Sequence, residues 1–343
     1  MGSHPTIKDV AKKAGVSITT VSFVLNNRTD VVISEEVKKR VAKVALEMDY
    51  HPSAMAAGLA GKRTRNLGIV FYKHYYITNQ YYSFVVQGIV KQTMEKGYNL
   101  LFSHVEETYE GYQNLPKIVR EKNVDGILML GLADPKMASD IQERKIPVVI
   151  VDPYLSVKNI NTIQIENKFG AQLAVEHLFN LGHRHIGMLT VSGVRPPSVH
   201  EREEGYEQAL VKFGLSSKKD YVLESNTFSY QAAYEKAKLD LKRLKNMTAL
   251  ICVNDEMAAG AMRAAREVGR QVPQDLSVVG FDNIIMSAYT DPPLTTVSVA
   301  KEFLGKLGVD RLLEMVETKD LQTVKKELVP VELVVRESTA KPR

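Results

Sequence analysis

Residues 16–27, VSITTVSFVLNN, combine hydroxyl side chains with β-branched apolar ones. The hydroxyls of Ser17, Thr19 and Thr20 are able to bond phosphates or base edges, and the methyl groups of Ile18 and the threonines to pack on a thymine methyl. Gly15 before the segment and two asparagines at its end are typical of turns, so we expect a short helix between them. A small helical bundle with a polar face is the alternative that this pattern leaves open.

Charged residues that follow predicted strands form a second group. Asp152 ends VIVDP, Asp282 ends SVVGFD, and Arg202 lies in HEREEGY. Such groups are capable of acid–base chemistry, but no nucleophile–base pair, cofactor motif or metal-spaced His/Cys set accompanies them in the sequence. The histidines of GHRHIG and the lone Cys252 in ALICVN fit structural roles better. We therefore expect a protein without catalytic activity, cofactor or metal.

The positive charge of the chain is concentrated at one end. Of 45 basic and 40 acidic residues, positions 1–65 hold 11 and 6, which leaves 34 of each sign in the remainder. The whole excess of +5 therefore lies in the first fifth of the chain. This asymmetry fits a polyanion-binding head on a neutral body, although a chance imbalance explains a charge of this size about as well.

Length and composition limit the class of protein. The chain has 343 residues, which predicts two or three domains. It contains no apolar run long enough for a membrane helix and no signal-peptide core near the start. A single cysteine excludes an internal disulfide and fits a reducing compartment, so we expect a cytoplasmic protein.

Three helices are predicted in the head. Thr6 and Ser17 are cap residues for the first two, Gly15 permits the left-handed turn between them, and Ser34 begins the third. Apolar residues at helical spacing predict the buried faces: Ile7, Val10, Ala11 and Ala14; Val21, Val24 and Leu25; Val37, Val41, Val44, Ala45 and Met48. Two short helices with a tight turn, followed by a third, are typical of a helix-turn-helix unit.

From about residue 66 the sequence alternates short apolar runs with amphipathic segments. LGIVFY, NLLFSHV, DGILMLG and PVVIVDP form one series, and after TIQIEN come HIGMLTV, YVLES, ALICVN and SVVGFD. Such βαβ repetition predicts parallel sheets covered by helices on both faces. Two series in succession indicate two lobes. Ligands of open α/β sheets bind at the carboxyl ends of the strands, so a cleft between the lobes is the expected site.

The segment TIKDVAKKAGVSITTVSFVLNN resembles the DNA-binding region of the LacI/GalR family of bacterial transcription regulators. YHPSAMAAGLAGKR at 50–63 is similar to the hinge of that family, in which a short helix folds on the operator and a leucine wedges into the minor groove. Without this resemblance, 51–65 would read as a plain linker. The DNA-contacting residues that the resemblance implies are Thr6, Ser17, Ile18, Thr19, Thr20, Phe23, Asn26 and the wedge Leu59.

Several positions depart from the family pattern, among them an arginine common in the hinge that is replaced here by Ala57 or Gly58. Phe23 replaces the arginine or other polar residue that is usual there, and a phenyl ring makes no bidentate contact to guanine. It either packs on a thymine methyl or faces the protein, so we expect readout to rest on Ile18 and Thr19. Val299 stands where many relatives have a glutamine, which puts the usual hydrogen bond at that position in doubt.

The resemblance continues through ENKFGAQLAVEHLFNLGHRHIG, REEGYEQAL, NDEMAAGAMRAAREVG, VPQDLSVVGFDN and PPLTTV. It implies an all-α helix-turn-helix head with a hinge helix, followed by a two-lobed α/β effector domain similar to periplasmic binding proteins. The boundaries that it implies are 1–50 for the head, 51–65 for the hinge, 66–164 plus 299–326 for the first lobe, and 165–298 plus 327–343 for the second.

The effector contacts implied by the resemblance mix charged, polar and aromatic side chains, as ligand pockets do. FYKHYYITNQYYSF at 71–84 is rich in aromatics, and a dimer-surface or loop cluster is an alternative explanation for it. Arg195 near Ser198 offers a further cation for an anionic ligand. Taken alone, each strand-end residue also fits a cap or a turn. The predicted contacts are Tyr81, Tyr82, Asp152, Ser198, Arg202, Phe228, Asn254 and Asp282.

Together these features predict a homodimeric repressor that binds double-stranded operator DNA and is regulated by a small molecule, with a sugar as the first choice. A nucleobase corepressor and a phosphorylated carrier protein are the alternatives within the family. A solute-binding protein without a regulatory role is the alternative from another class, and the basic head argues against it.

Overall fold

The computed structural model describes residues 5–25, 31–50, 63–72, 79–105, 109, 111, 114–131, 134–155, 157–193 and 195–343. The chain divides into two units, a head of Met1–Arg65 and a body of Asn66–Arg343.

The head contains helices α1 (Ile7–Ala14), α2 (Ile18–Leu25) and α3 (Glu35–Glu47). Side chains at the predicted caps fix where they begin. The Thr6 amide and hydroxyl both donate to the carboxylate of Asp9, at 2.8 and 2.6 Å. The Ser17 hydroxyl accepts from the Thr20 amide at 3.0 Å. Gly15 ends α1 at φ 65°, in the left-handed region that glycine adopts at little cost.

A small apolar core holds the three head helices together, and it confirms the predicted buried faces. Each helix contributes to it, with Val10 and Val21 fully buried where α1 meets α2, and Val41 fully buried on α3. Its partly buried border includes Ile7, Val24, Leu25, Val37 and Met48. Because these apolar residues face inwards, the start of α2 is left at the surface.

The body alternates strands and helices along most of its length. Its first half contains β1 (Asn66–Tyr72), α4 (Gln80–Glu95), β2 (Asn99–Val105), α5 (Lys117–Arg120), β3 (Gly126–Leu130), α6 (Pro135–Gln142), β4 (Val148–Val151) and β5 (Asn161–Ile165). Then follow α7 (Asn167–Asn180), β6 (Ile186–Val191), α8 (Pro197–Lys212), β7 (Val222–Ser225), α9 (Tyr230–Arg243), β8 (Ala249–Cys252), α10 (Asp255–Glu267), β9 (Ser277–Asp282) and β10 (Thr295–Val299). The chain ends with α11 (Lys301–Thr318), β11 (Lys326–Val329) and β12 (Val331–Val334).

These strands form two six-stranded sheets, one in each lobe. The first has the order β11-β5-β4-β3-β1-β2 and the second β12-β10-β9-β8-β6-β7. Every pairing is parallel except β10 with β12. Strands β3, β4 and β6 are buried along their whole length, as strands covered by helices on both faces must be. The predicted α/β fold with parallel sheets is confirmed.

The chain crosses between the lobes three times, after β5, after β10 and after β11. The last crossing lies at Pro330, because β11 still pairs with β5 in the first sheet. The predicted division between 326 and 327 is therefore about one strand too early. Pro330 has no amide hydrogen to continue a ladder, which suits a position where the chain leaves one sheet for the other.

Helices α4 and α11 cross in the first lobe at two glycines. A Cβ atom added at Gly88 would lie 2.0 Å from the carbonyl oxygen of Glu302, and one added at Gly305 would lie 2.1 Å from that of Val85. The backbones therefore approach too closely for any side chain at these positions. Lys91 bonds Glu302 at 2.7 Å along the same contact. This crossing places the start of α4 and the start of α11 beside the cleft.

Gly88→Ala should destabilise the body by about 1–3 kcal/mol, because the added methyl group forces two packed helices apart. Gln87→Ala, at an exposed neighbouring position of α4, serves as the control. The measurement is the free energy of unfolding from urea denaturation. Equal stability of the two variants would contradict the close packing of α4 on α11.

Within the described ranges, no helix has both the length and the apolar content that crossing a bilayer requires.

Candidate functional site

The first site is the exposed start of α2 in the head. Ile18 is 43% exposed, an unusual position for an isoleucine, and Thr19 beside it is exposed as well. Ser17 and Thr20 bond each other at 2.9 Å, and this bond fixes the first turn of the helix. The surface therefore offers one apolar and several hydroxyl groups at the amino end of a helix, where the helix dipole favours phosphate.

The other predicted DNA contacts differ in their surroundings. Thr6 caps α1 through its bonds to Asp9, which lower the pKa of that carboxyl. Phe23 is half-buried. Asn26 and Leu59 lie outside the described residues, as does most of the predicted hinge. The contact with DNA stays a prediction for all of these positions.

The second site is a cavity of about 130 Å³ between the two lobes of the body. All eight side chains predicted to contact the effector line it, and the carboxyl ends of strands from both sheets open onto it. The strand-end position predicted Asp152, Asn254 and Asp282, and the family resemblance implied the other contacts. Further lining residues that the sequence reasoning did not select are Asn79, Tyr154, Pro196, Val199, Val253, Asp255, Glu256 and Ile284.

The first lobe contributes a tyrosine pair and a carboxylate. Asn79 caps α4 by accepting from the amides of Tyr81 and Tyr82, which fixes both rings at the start of the helix. The rings pack edge to face, with their centroids 5.1 Å apart. The Tyr82 hydroxyl donates to Asp152 at 3.0 Å. Asp152 follows β4 in a left-handed conformation at φ 54°, and burial raises its pKa.

The Tyr81 hydroxyl is a buried polar group on the first-lobe wall of the cavity. It is buried and has no hydrogen-bond partner of normal geometry among the described residues. Burial, together with the carboxylates of Asp152 and Asp282, raises its pKa, so it stays protonated. A buried hydroxyl without a partner carries a free-energy cost that a bound ligand removes.

The second lobe contributes a guanidinium held on several sides. Arg202 lies over the ring of Phe281, with its central carbon 3.7 Å from the ring centroid. Its Nε donates to Asn167 at 2.9 Å, Nη1 donates to the carbonyl of Val253, and Nη2 donates to Asp282 at 3.3 Å. These contacts fix the plane of the guanidinium at the wall of the cavity.

Asp282 faces Arg202 from the turn at 282–284, whose backbone is held by hydrogen bonds with Lys301 and Asp255. Asp282 and Asn283 both adopt positive φ, at 104° and 50°. Lys301 donates to the carbonyls of both residues, and the buried carboxylate of Asp255 accepts from the Ile284 amide at 2.8 Å. A left-handed conformation at two successive non-glycine residues persists only where the surroundings enforce it. Asp255 and Lys301 therefore position Asp282.

Two further predicted contacts also have structural roles. Asn254 caps α10 by accepting from the Met257 amide at 2.8 Å, and its amide group donates to the carbonyl of Phe228 at 3.4 Å. Asn254 therefore has the helix-capping role that the sequence also allowed, and it lines the cavity as well. Phe228 and Ser198 are partly buried at the same wall.

Arg195 and His183 have protein partners, and Cys252 is buried in the core. Arg195, considered as a cation for an anionic ligand, bonds Glu203 at 2.7 Å and also Glu224. His183 is buried and bonds Thr248, Ser277 and the carbonyl of Ala340, which supports a structural role. Cys252 is buried, and burial raises the pKa of its thiol. The described residues contain no His, Cys, Asp and Glu cluster suited to a metal ion.

The stability that Asp282 and Asp255 contribute to the body should fall as pH rises from about 4 to about 7. Burial raises the pKa of Asp282 to about 6 and that of Asp255 to about 7, against 3.8 as the ordinary value. The folded state therefore binds protons more tightly than the unfolded state, and its advantage disappears as these carboxyls ionise. Asp282→Asn should remove the part of the slope between about pH 4 and 6.

Urea denaturation at half-unit pH steps measures this slope. Asp291→Asn, at a side chain that is 94% exposed, is the matched control and should leave the slope unchanged. An unchanged slope in Asp282→Asn would contradict the raised pKa.

Comparison with known proteins gives two family matches. Residues 6–53 match the lacI family of bacterial regulatory proteins, and residues 175–339 match a periplasmic binding protein-like domain. The chain is 35% identical to the HTH-type transcriptional repressor PurR of Aliivibrio fischeri, over 97% of this chain and 98% of that protein.

Two solved structures share the fold over nearly the whole chain. The lac repressor dimer bound to operator and the anti-inducer ONPF is 29% identical, with a TM-score of 0.81, over 98% of this chain and all of that one. The complex of the transcriptional regulator CelR with cellobiose is 26% identical, with a TM-score of 0.71, over 97% of this chain and 99% of that one. The predicted family and the predicted absence of enzymatic activity agree with these matches. The chain belongs to the LacI family of bacterial regulatory proteins and is a DNA-binding transcriptional repressor.

Proposed function

We propose that this repressor is a homodimer whose affinity for operator DNA is set by one small ring compound held in the cleft. The observation that carries the proposal is that both lobes contribute polar side chains to the cavity wall. Tyr82 and Asp152 come from one lobe, and Arg202 and Asp282 come from the other. A ligand that bonds both pairs has differential affinity for one arrangement of the lobes, which is what a conformational switch requires.

The size of the cavity favours a ligand of one nucleobase or one monosaccharide. A protein cavity of about 150 Å³ accommodates one benzene molecule, and this cavity measures about 130 Å³. Its aromatic walls, Tyr81, Tyr82, Tyr154 and Phe228, suit a flat or pyranose-like face. A disaccharide would need the lobes to open.

A nucleobase acting as corepressor is the first candidate. The 35% identity with a repressor named PurR supports it over the sugar that the sequence reasoning placed first. A planar base fits between the aromatic walls, its N–H groups donate to Asp152 and Asp282, and its carbonyl oxygen or a ring nitrogen accepts from Tyr81. Binding would then raise the affinity for operator DNA.

A monosaccharide acting as inducer is the second candidate. Carboxylates at strand ends suit ligand hydroxyl groups, and an aromatic ring suits the C–H face of a sugar. The similarity to the CelR–cellobiose complex supports a carbohydrate in this position. Binding would then lower the affinity for operator DNA, which is opposite to the corepressor.

At the DNA, two heads would read the half-sites of a near-palindromic operator, with the start of α2 in the major groove. The similarity to an operator-bound dimer supports this arrangement. Leu59 remains the residue that we expect to wedge into the minor groove, on the basis of the family pattern in 50–63.

A thermal-shift screen of the full chain tests this proposal. The panel consists of adenine, guanine, hypoxanthine, ribose, glucose and galactose. A specific ligand at 100 times its dissociation constant should add about 2.7 kcal/mol of stability. Operator anisotropy with each compound that binds then separates a corepressor from an inducer. If no compound stabilises the chain, the two proposed ligand classes are wrong.

A further inference from the structure

We propose that the cleft rejects anionic ligands, so that the repressor responds to the unphosphorylated and non-acidic form of its ring compound. This inference rests on the proposed function, since it specifies the charge of the ligand that the same cleft takes.

The charge of the cavity wall is the first argument. Among the described residues that line it, Asp152, Asp255, Glu256 and Asp282 are acidic and Arg202 alone is basic. Asp255 is fully buried and positions the 282–284 turn, whereas Asp152 and Asp282 keep carboxylate oxygens at the cavity. Burial already disfavours their charged forms. A further negative charge beside them would raise that cost.

The surroundings of Arg202 are the second argument. Its three nitrogens each donate to a protein acceptor, and one of these acceptors is the Asp282 carboxylate at 3.3 Å. One face of the guanidinium is covered by Phe281. An anion at Arg202 would compete with Asp282 for the single positive charge, and any displacement of Asp282 would leave a buried carboxylate without its partner, which is strongly unfavourable.

The basic side chains beside the cleft are the third argument. Arg195 is paired with Glu203 and Glu224, so its charge is already neutralised. Lys301 donates to three backbone carbonyls, those of residues 282, 283 and 299. Neither side chain offers a free positive charge to a phosphate or a carboxylate.

The consequence concerns where the ligand stands in a reaction sequence. Transfer of a phosphoryl group to a sugar, or of a phosphoribosyl group to a base, adds negative charge and volume. The product of such a transfer would no longer fit a cavity of about 130 Å³ with acidic walls. The repressor therefore senses the substrate of the group-transfer reaction and does not sense its product.

Inorganic phosphate, used as a probe at constant ionic strength, tests the charge rule without knowledge of the ligand. Asp282→Asn leaves Arg202 without a paired carboxylate, so phosphate should stabilise this variant at concentrations at least tenfold lower than it needs in the wild type. Asp275→Asn is the matched control, because it frees Arg343 at the surface and should behave as the wild type. Equal phosphate stabilisation of Asp282→Asn and the wild type would overturn the inference.

Asp152→Asn is the second variant, in case Asp282→Asn does not fold. It removes the other carboxylate, and we expect a smaller gain in phosphate binding that is still above the wild type. No gain in this variant would count against the inference.

Matched ligands provide the second test. Glucose and glucuronate share one ring and differ by a carboxylate, and hypoxanthine and urate are purines that differ in charge at neutral pH. In whichever pair shows binding, the neutral compound should bind at least tenfold more tightly than the anionic one. An anion that binds as tightly as its neutral partner would overturn the charge rule and leave the cleft as the effector site. If neither pair binds, the proposed ligand classes are wrong, and the phosphate comparison still decides the charge rule.

Discussion

Ile18→Glu should lower the affinity for operator DNA by at least 100-fold, or about 2.7 kcal/mol. Ile18 is 43% exposed at the start of α2. A carboxylate there removes an apolar contact to a base and places negative charge close to the phosphates. The loss is large because a dimer carries the change twice, and each base contact contributes about 1–3 kcal/mol.

Leu46→Glu is the matched control for this result. Leu46 is 83% exposed on α3 and undergoes the same change in charge and chemistry. Fluorescence anisotropy with an operator duplex selected from a randomised pool measures both variants. We expect a loss of less than tenfold for Leu46→Glu. An equal loss in the two variants would mean that the head binds DNA through general electrostatics and that α2 does not read the bases.

Arg202→Ala should abolish the response to the ring compound while operator binding without ligand is retained. The guanidinium donates to Asp282 and to Asn167, and its removal leaves the buried Asp282 carboxylate without its partner. Truncation of one partner in a buried charge pair costs about 2–5 kcal/mol in binding, which corresponds to a loss of 30-fold or more.

Arg195→Ala, at a position just before α8, is the matched control. Arg195 pairs with Glu203 and Glu224 and is absent from the described cavity wall. Its loss should leave the ligand affinity within about threefold of the wild type. Anisotropy titrations with and without the stabilising compound measure both effects. A normal response in Arg202→Ala would remove Arg202 and Asp282 from the site.

The head shows how much a sequence reveals when local chemistry determines the structure. Caps at Thr6, Ser17 and Ser34, a left-handed glycine at Gly15 and apolar residues at helical spacing act within a few positions of one another. Each is therefore readable in sequence, and the structure has all of them.

The cleft was predictable wherever a residue ends a strand. Asp152, Asn254 and Asp282 come at the ends of apolar runs, and in each sheet the parallel strands bring their carboxyl ends to the edge that faces the cleft. The clamp on Asp282 was not predictable, since Lys301 and Asp255 lie 19 and 29 positions away along the chain from the groups that they bond. Asp255 reaches the 282–284 turn because β8 pairs with β9, and Lys301 reaches it because α11 begins directly after β10, the strand beside β9.

The neutralisation of Arg195 escaped prediction for the same reason. The sequence places a cation near Ser198, but its partner Glu224 is 29 residues away, next to it only because β6 pairs with β7. The predicted position of the last crossing is too early because β11 continues to pair with β5 through Val329. No local signal before Pro330 marks the end of that strand.

A single calorimetric measurement tests the link between cleft and operator most directly. The stabilising ring compound is titrated into the free protein and into the protein saturated with operator DNA. Binding at one site that changes the affinity at the other must do so reciprocally. We predict that the two ligand affinities differ by the same factor by which the ligand changes operator affinity. Equal ligand affinities in the free and operator-bound protein would show that the cleft does not control DNA binding.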